Sequence, residues 1–382
     1  MKIDKISIQN FGPISDVNVE LGDLTILIGA QASGKTLFLE MLKLLIDKTH
    51  ILTTLSRYNY VTEDRIDNIL NCYLGEGLAS LWTSETKIHL NQNEFHKVDL
   101  ASQPDDNVKE KLFYVPAQRI LSIADGRPKN FMEFDMSAPY VLRHFSETLR
   151  LFFQKGTGSE KTLFPLSQHL SKETEDSFNQ NIFHDGKVVI DERTGQKKMQ
   201  MQIDGTNLPF MTWSAGQKEF MPLLMAFYCL AQTTSYPRQS YEYVVIEEPE
   251  MGLHPNAILS VLSQVLEFIK NGYKVIISTH SPVLLDFAWA NQMLSSLPKD
   301  KYAQALSELL NSKQADSFSY LQDKGIKTYY FARKRKNLVK SIDISDLDVS
   351  SDNIDMAEWG GISQFSTTAS DIVSKYMAEY GE

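Results

Sequence analysis

Only two cysteines occur in 382 residues, Cys72 and Cys229, each inside an apolar stretch (NILNCYLG and MAFYCLAQ). That excludes a disulfide framework and any zinc or iron–sulfur site that needs several cysteines. No run approaches the roughly 18 apolar residues of a membrane span. The opening MKIDKISIQNF alternates polar and apolar residues and lacks the apolar core of a signal peptide. A cytoplasmic protein with no membrane partner is therefore expected. Positive charge is scarce as well: 38 Lys and Arg stand against 48 Asp and Glu, a formal net charge of −10. This excludes a surface that coats nucleic acid throughout, although a local basic groove could survive it. Sustained heptads are missing too, so no coiled-coil arm is expected. What is present is a 42% hydrophobic and 23% charged composition, the balance of a globular chain with a sizeable core. At about 150 residues per domain, the length suggests two or three structural units.

The decisive segment comes early. Residues 24–28, LTILI, form a short apolar run typical of a strand buried on both faces. Gly29-Ala30-Gln31-Ala32-Ser33-Gly34-Lys35-Thr36 follows, and from Leu37 to Leu45 apolar residues recur at helical spacing. Strand, G-x-x-x-x-G-K-T, helix is the phosphate-binding loop in its required context. Backbone N–H groups must curl around phosphates, which Gly29 and Gly34 permit, and the helix N-terminus adds its positive end. Lys35 would reach the β- and γ-phosphates, and the Thr36 hydroxyl would ligate Mg²⁺. By chance the bare pattern arises in about one chain per hundred of this length, and the flanking strand and helix lower that several-fold.

Other strand ends carry chemistry. YVVIEEPEMGLHPN at 243–256 delivers Glu247 and Glu248 at the carboxyl end of an apolar run, where open α/β sheets bind ligands. The first carboxylate can hold Mg²⁺ while the second faces an attacking water. Two adjacent carboxylates repel unless a cation or shared proton compensates. After a helix-like segment at 255–270, the run YKVIISTHSP ends in His280, a structural histidine or one that contacts a γ-phosphate. Ser214-Ala215-Gly216-Gln217 begins another apolar helix pattern, interrupted by Pro222; it is an ordinary capped start or an anion-binding one. FYVPAQR at 113–119 is a strand ended by Pro116 that delivers Gln118 and Arg119, a weak signal alone.

The order of these motifs resembles ABC-type ATPase heads, in the branch of SMC, RecF and OLD-like ATPases, AAA-type proteins of bacterial defence and repair. NFGPI near the start and EEPEMGLHP are particularly similar to that branch. The resemblance implies ATP and Mg²⁺ as cofactors, with Gly29, Ala30, Gln31, Ala32, Ser33, Gly34, Lys35, Thr36 and Leu37 around the nucleotide. It implies Thr36, Gln118 and Glu247 at the metal, Glu248 as general base, Gln118 near the metal or water, and His280 on the γ-phosphate. Ser214, Gly216 and Gln217 would contact the γ-phosphate held by a second subunit. Two departures stand out: Glu247 replaces the usual Asp, and SAGQ lacks the leading Leu and second Gly of transporter ATPases. A transporter subunit is not expected.

The fold implied is an α/β P-loop NTPase with an ABC/SMC-head-like mixed sheet, an antiparallel β lobe and a helical lobe. Its core is expected from 1–50, 110–120 and 205–295, with a β/helical subdomain at 51–109. That subdomain contains a helix in EDRIDNILNCYL and strands in ETKIHL and NEFHKVDL. A helical lobe with a hairpin around Arg193-Thr194-Gly195 fills 121–204, its helix reading PYVLRHFSETLRLFF. An α/β extension occupies 296–382, with a helix near 301–311, a hairpin in KTYYFARKRKNLVKSIDI and a terminal helix near 368–380. The extension shows no acidic cluster of the TOPRIM nuclease kind, so a nuclease, if one is involved, belongs on another chain. The cluster Arg333-Lys334-Arg335-Lys336 is a solvated hairpin tip, a nucleic-acid phosphate contact or a docking point for an acidic partner. The expected function is ATP hydrolysis in a nucleotide-sandwich dimer or higher homo-oligomer. In one reading it senses or regulates in anti-phage defence through a separate effector. In the alternative it is a RecF-like DNA-binding repair ATPase.

Overall fold

The computed structural model describes residues 2–61, 66–156, 161–166, 168–193, 195–231, 240–313, 318–333, 338–348, 351–362, 368–370 and 372–374. Its strands are β1 (Lys5–Phe11), β2 (Ile14–Glu20), β3 (Leu24–Ile28), β4 (Trp82–Leu90), β5 (Asn93–Phe95), β6 (Leu112–Val115), β7 (Ile123–Ala124), β8 (Arg127–Pro128), β9 (Thr162–Phe164), β10 (Lys187–Asp191), β11 (Lys198–Ile203), β12 (Thr206–Pro209), β13 (Tyr243–Glu247), β14 (Lys274–Ser278), β15 (Ile326–Arg333) and β16 (Val339–Asp343). Its principal helices are α1 (Lys35–Arg57), α2 (Ile66–Leu74), α3 (Tyr140–Leu151), α4 (Lys172–Phe178), α5 (Ala215–Leu230), α6 (Pro255–Lys270), α7 (Pro282–Leu294) and α8 (Lys299–Leu309).

A ten-stranded mixed sheet in the order β5-β4-β1-β2-β16-β15-β3-β14-β13-β6 is the spine of the molecule. From β15 to β6 neighbouring strands run parallel, and from β2 to β5 they run antiparallel. The parallel strands read as unbroken apolar runs because both faces are covered. Their side chains alternate between two apolar cores. Leu24, Ile26, Val244, Ile246, Val275 and Ile277 join α5, α6 and α7 on one face. Leu27, Val245, Ile276 and Tyr114 join α1 on the other.

That period of two fixes the site in advance. Tyr243 and Val245 face α1, so Glu247 at the end of β13 faces α1 too. β13 and β14 are in register with Glu247 opposite Ser278, which brings Glu248 and His280 to neighbouring strand ends. β6 aligns Val115 with Ile246, so Gln118 and Arg119 follow at the same edge.

The hairpin at 187–203 appears as β10 and β11, within a four-stranded sheet completed by β9 and β12; Thr194 lies outside the described residues. α3 and α6 appear where expected, and α5 runs through Pro222 as one helix. NEFHKVDL, expected as one strand, is a strand only to Phe95, and Lys97–Leu100 is a 3₁₀ turn. The reason is local: the Asp99 carboxylate accepts from the His96 N–H at 2.7 Å, drawing that backbone out of the ladder. The hairpin of the 296–382 extension appears as β15 and β16, and β15 pairs with β3 and β16 with β2 in the middle of the sheet. Its hairpin tip, with Lys334, Arg335 and Lys336, lies outside the described residues, as does most of the expected terminal helix.

The start of β6 is tied to α1 by buried charge. Asp47 departs from helical geometry (φ −116°, ψ 21°), and its carboxylate accepts from the N–H groups of Lys111 and Leu112 at 2.8 and 3.0 Å. Lys43, fully buried, donates to Asp47 at 2.7 Å, Glu110 at 2.5 Å and the Leu112 carbonyl at 2.7 Å. Removing the ammonium would leave two carboxylates in the interior without their cation. Lys43→Met is therefore expected to destabilise the fold by about 3–5 kcal/mol, read from urea denaturation midpoints.

Candidate functional site

The loop after β3 takes its shape from backbone conformations that its glycines tolerate. Gly34 (φ 78°) turns the chain into α1, and a Cβ at Gly29 (φ 148°) would lie 2.7 Å from the Phe331 carbonyl oxygen. Ala32 also adopts positive φ, at 56°. α1 begins at Lys35 with no side-chain cap, so its first N–H groups are free of a capping hydroxyl or carboxylate. An anion is the natural partner for such a helix start. Ala30, Gln31, Ala32 and Thr36 are exposed around it, Ser33 and Lys35 are buried beneath it, and Leu37 is partly buried.

Lys35 curls back over the loop. Its ammonium donates to the Gly29 carbonyl at 2.8 Å, the Ala30 carbonyl at 3.2 Å and Ser33 Oγ at 3.3 Å, and it lies 3.4 Å from His280 Nε2. Burial lowers its pKa, opposed by the nearby Glu248, Glu247 and Glu250. Thr36 Oγ1 donates to Glu247 Oε2 at 2.5 Å, and Tyr114 Oη donates to Glu247 Oε1 at 2.7 Å. Burial raises the Glu247 carboxyl's pKa, with the two hydroxyls working against that rise. A buried carboxylate whose side-chain partners are neutral hydroxyls is a fitting place for a divalent cation. The extra methylene that distinguishes Glu247 from the usual Asp still leaves its carboxylate against Thr36.

Glu248 leaves the strand in a left-handed conformation (φ 43°), a sparsely populated region for a non-glycine residue, while its N–H donates to the Ser278 carbonyl at 2.8 Å. Its Oε1 stands 3.7 Å from His280 Nε2. Burial and Lys35 lower the His280 pKa, which favours a neutral ring. Gln118 is exposed at the head of the turn Arg119–Ser122, on the same rim.

Ser214 caps α5: its Oγ accepts from the Gln217 N–H at 3.3 Å, and Gln217 Oε1 accepts from the Ser214 N–H at 3.2 Å. Gln217 Nε2 donates to the Ile182 carbonyl at 3.1 Å, so this side chain is engaged within its own chain. Gly216 has a packing duty as well, because a Cβ there would sit 2.5 Å from the Gly252 carbonyl oxygen. The Ser214 segment and the loop after the Glu pair are pressed together, although the sequence separates them by a helix and a strand.

Four residues of the site carried no role in the sequence. Tyr114 is indistinguishable from a core tyrosine until β6 is seen beside β13. Arg119, fully buried, donates to the Glu247 carbonyl at 3.0 Å, the Glu248 carbonyl at 3.1 Å and the Glu219 carbonyl at 3.1 Å. It joins the Glu pair's backbone to α5. Glu250 Oε1 accepts from the His280 N–H at 2.6 Å and from Thr279 Oγ1 at 2.8 Å, fixing the end of β14. Glu40 is buried in α1, its pKa raised by burial and then by Glu247. The sequence signals for these were the strand end of FYVPAQR, which placed Arg119 without a role, and the density of acidic residues in EEPE.

A phosphate loop at the carboxyl ends of parallel strands, with a carboxylate pair facing it, defines a P-loop nucleotide-binding ATPase domain. The chain belongs to the AAA family described as "AAA domain, putative AbiEii toxin, Type IV TA system", which matches residues 87–286, more than half of it. An AAA ATPase domain also matches residues 1–135. The Old nuclease of Escherichia phage P2 is 38% identical over 65 residues, 17% of this chain and 11% of that protein's length. Among solved structures, an SMC head bound to the C-winged helix domain of ScpA superposes with a TM-score of 0.42 at 10% identity, covering 90% of this chain and 97% of that one. The SMC head domain from Thermotoga maritima gives 0.37 at 10% identity, covering 90% and 99%. A dimeric bacterial ABC transporter cassette gives 0.34 at 12% identity, covering 74% and 90%. No described helix is long and apolar enough to cross a membrane.

The Arg119 contacts yield a test. Lysine keeps the charge but cannot span three carbonyls with a planar fork. Arg119→Lys is expected to lose about 1.5–3 kcal/mol of stability, by urea denaturation.

Proposed function

We propose that this chain binds ATP with Mg²⁺ at Gly29–Leu37 and hydrolyses it between two protomers. The observation that carries the reading is the hydrogen bond between Thr36 and Glu247 at 2.5 Å, which joins the phosphate loop to the strand-end carboxylate pair. Thr36 and Glu247, with Gln118 on the rim, would hold the Mg²⁺, which when bound neutralises charge on the β- and γ-phosphates. Lys35 would leave its loop carbonyls for the phosphates. Glu248 takes a proton from the attacking water as the oxygen adds to the γ-phosphorus and the bond to ADP breaks. His280, neutral and held by Glu250 through its backbone, donates a hydrogen bond to the γ-phosphate. Ser214, Gly216 and Gln217 of one protomer close on the nucleotide of the other.

The biological role we infer is that of a sensor or regulator in a bacterial anti-phage system, acting through a separate effector protein. The toxin–antitoxin description of the family and the short likeness to a phage nuclease support it. ATP-dependent binding of the isolated protein to DNA ends or gaps would favour a RecF-like repair role instead.

Lys35→Ala is expected to abolish ATP binding measured by calorimetry. Glu248→Gln should bind ATP normally and hydrolyse it about 10²–10⁴-fold more slowly. Wild-type turnover by Glu248→Gln would remove Glu248 as the base.

The shared site has its own test. Lys35→Ala and Ser214→Arg should each be inactive alone. Random exchange of differently tagged subunits makes half the dimers mixed, each with one intact site, so about a quarter of wild-type activity should return. Verified mixed dimers without recovered activity, or a fully active Ser214→Arg, would overturn the arrangement.

A further inference from the structure

Far from the phosphate loop, α1 presents His50 roughly 22 Å beyond Lys35 at 1.5 Å per residue. His50 meets His144 of α3, with ring centroids 5.5 Å apart and planes at 74°. Glu110, just ahead of β6, completes the group. One ligating atom from each of His50, Glu110 and His144 lies within 4.8 Å of the other two, the one such trio among the described residues.

Three observations point to a ligand here. Glu110 Oε1 and His144 Nε2 are 3.0 Å apart, close to the spacing of neighbouring ligands held about 2.0–2.2 Å from one ion. The Nδ1 atoms of both His50 and His144 are buried with no hydrogen-bond partner. His144 is held to Glu110 through Nε2, whereas the Nδ1 atoms are left over, and buried imidazole nitrogens without partners are unusual in a core that only needs to pack. The local charge also favours a cation. Lys43 is matched by Asp47 at 2.7 Å and Glu110 at 2.5 Å, so two carboxylates face one ammonium. Lys43 spends its remaining donor on the Leu112 carbonyl, and the second Glu110 oxygen accepts from Tyr241 at 3.2 Å.

We propose that His50, Glu110 and His144 form a binding site for a borderline transition-metal ion of the Zn²⁺ class, separate from the nucleotide's Mg²⁺ site. Two imidazoles and a carboxylate suit Zn²⁺ and Co²⁺, whereas Mg²⁺ prefers oxygen ligands alone. The ion joins three elements: the nucleotide helix α1, the strand β6 that leads to Gln118, and α3 of the neighbouring lobe. It thereby ties the lobe to the ATPase core.

The experiment titrates the full chain with Zn²⁺, and in parallel with Co²⁺ as a spectroscopic probe, without nucleotide and in excess Mg²⁺ to occupy oxygen-ligand sites. One ion per chain is expected, with visible Co²⁺ absorption of a four- or five-coordinate nitrogen–oxygen site and a raised Tm. His50→Gln and His144→Gln should each weaken binding at least tenfold, whereas His89→Gln, on β4, should not change it. Circular dichroism checks that each variant folds; should His144→Gln fail to fold, His50→Gln decides. Unchanged affinity in a folded His50→Gln, or no Co²⁺ absorption in the native protein, would overturn the site.

Discussion

The burial of the Glu247 carboxylate is the constraint on which the rest of the site depends. A carboxyl group with almost no solvent, whose side-chain partners are two hydroxyls, is held at a cost, so the groups around it must supply favourable polarity. Thr36 and Tyr114 approach its two oxygens from opposite elements, the phosphate-loop helix and β6. Lys35 and Arg119 add positive charge nearby.

The same logic explains why backbone carbonyls and an N–H in the region are taken by charged side chains. Arg119 gathers carbonyls of Glu219, Glu247 and Glu248, and Glu250 takes the N–H of His280. Strand ends lose their ladder partners just where the ligand must enter, and these two side chains replace them. The consequence is coupling. A shift of α5 at Glu219 is felt through one guanidinium at both members of the carboxylate pair, and Gly216 pressed against Gly252 transmits it by contact.

Much of this was legible from local pattern. LTILI before a glycine-rich loop, and YVVIE before its second carboxylate, announced buried parallel strands because continuous apolar runs need cover on both faces. The helix-like segment at 255–270 became α6, where Pro255 suits the first helical turn. Other features were hidden for physical reasons. Tyr114 and Arg119 act across strand pairs whose register is a property of the sheet. KVDL reads as a strand by alternation, yet a single side-chain-to-backbone hydrogen bond from Asp99 outweighs that preference. The hairpin of β15 and β16 looks like a terminal appendage, but its aromatic residues find their cover only between β3 and β2, more than 300 residues upstream.

By itself, then, the sequence determined which segments could bind phosphate, which carboxylates stood at strand ends, and that two families of apolar residues would seek opposite faces. Those are matters of local spacing, where one residue's chemistry and its neighbours' periodicity suffice. Only the tertiary structure decided that Glu247 meets Thr36, that Arg119 braces the Glu pair, and that His50, Glu110 and His144 converge behind the sheet. Each of those contacts joins elements far apart in the chain. Their distance is set by how whole strands and helices pack around two shared cores, which no short window of residues encodes.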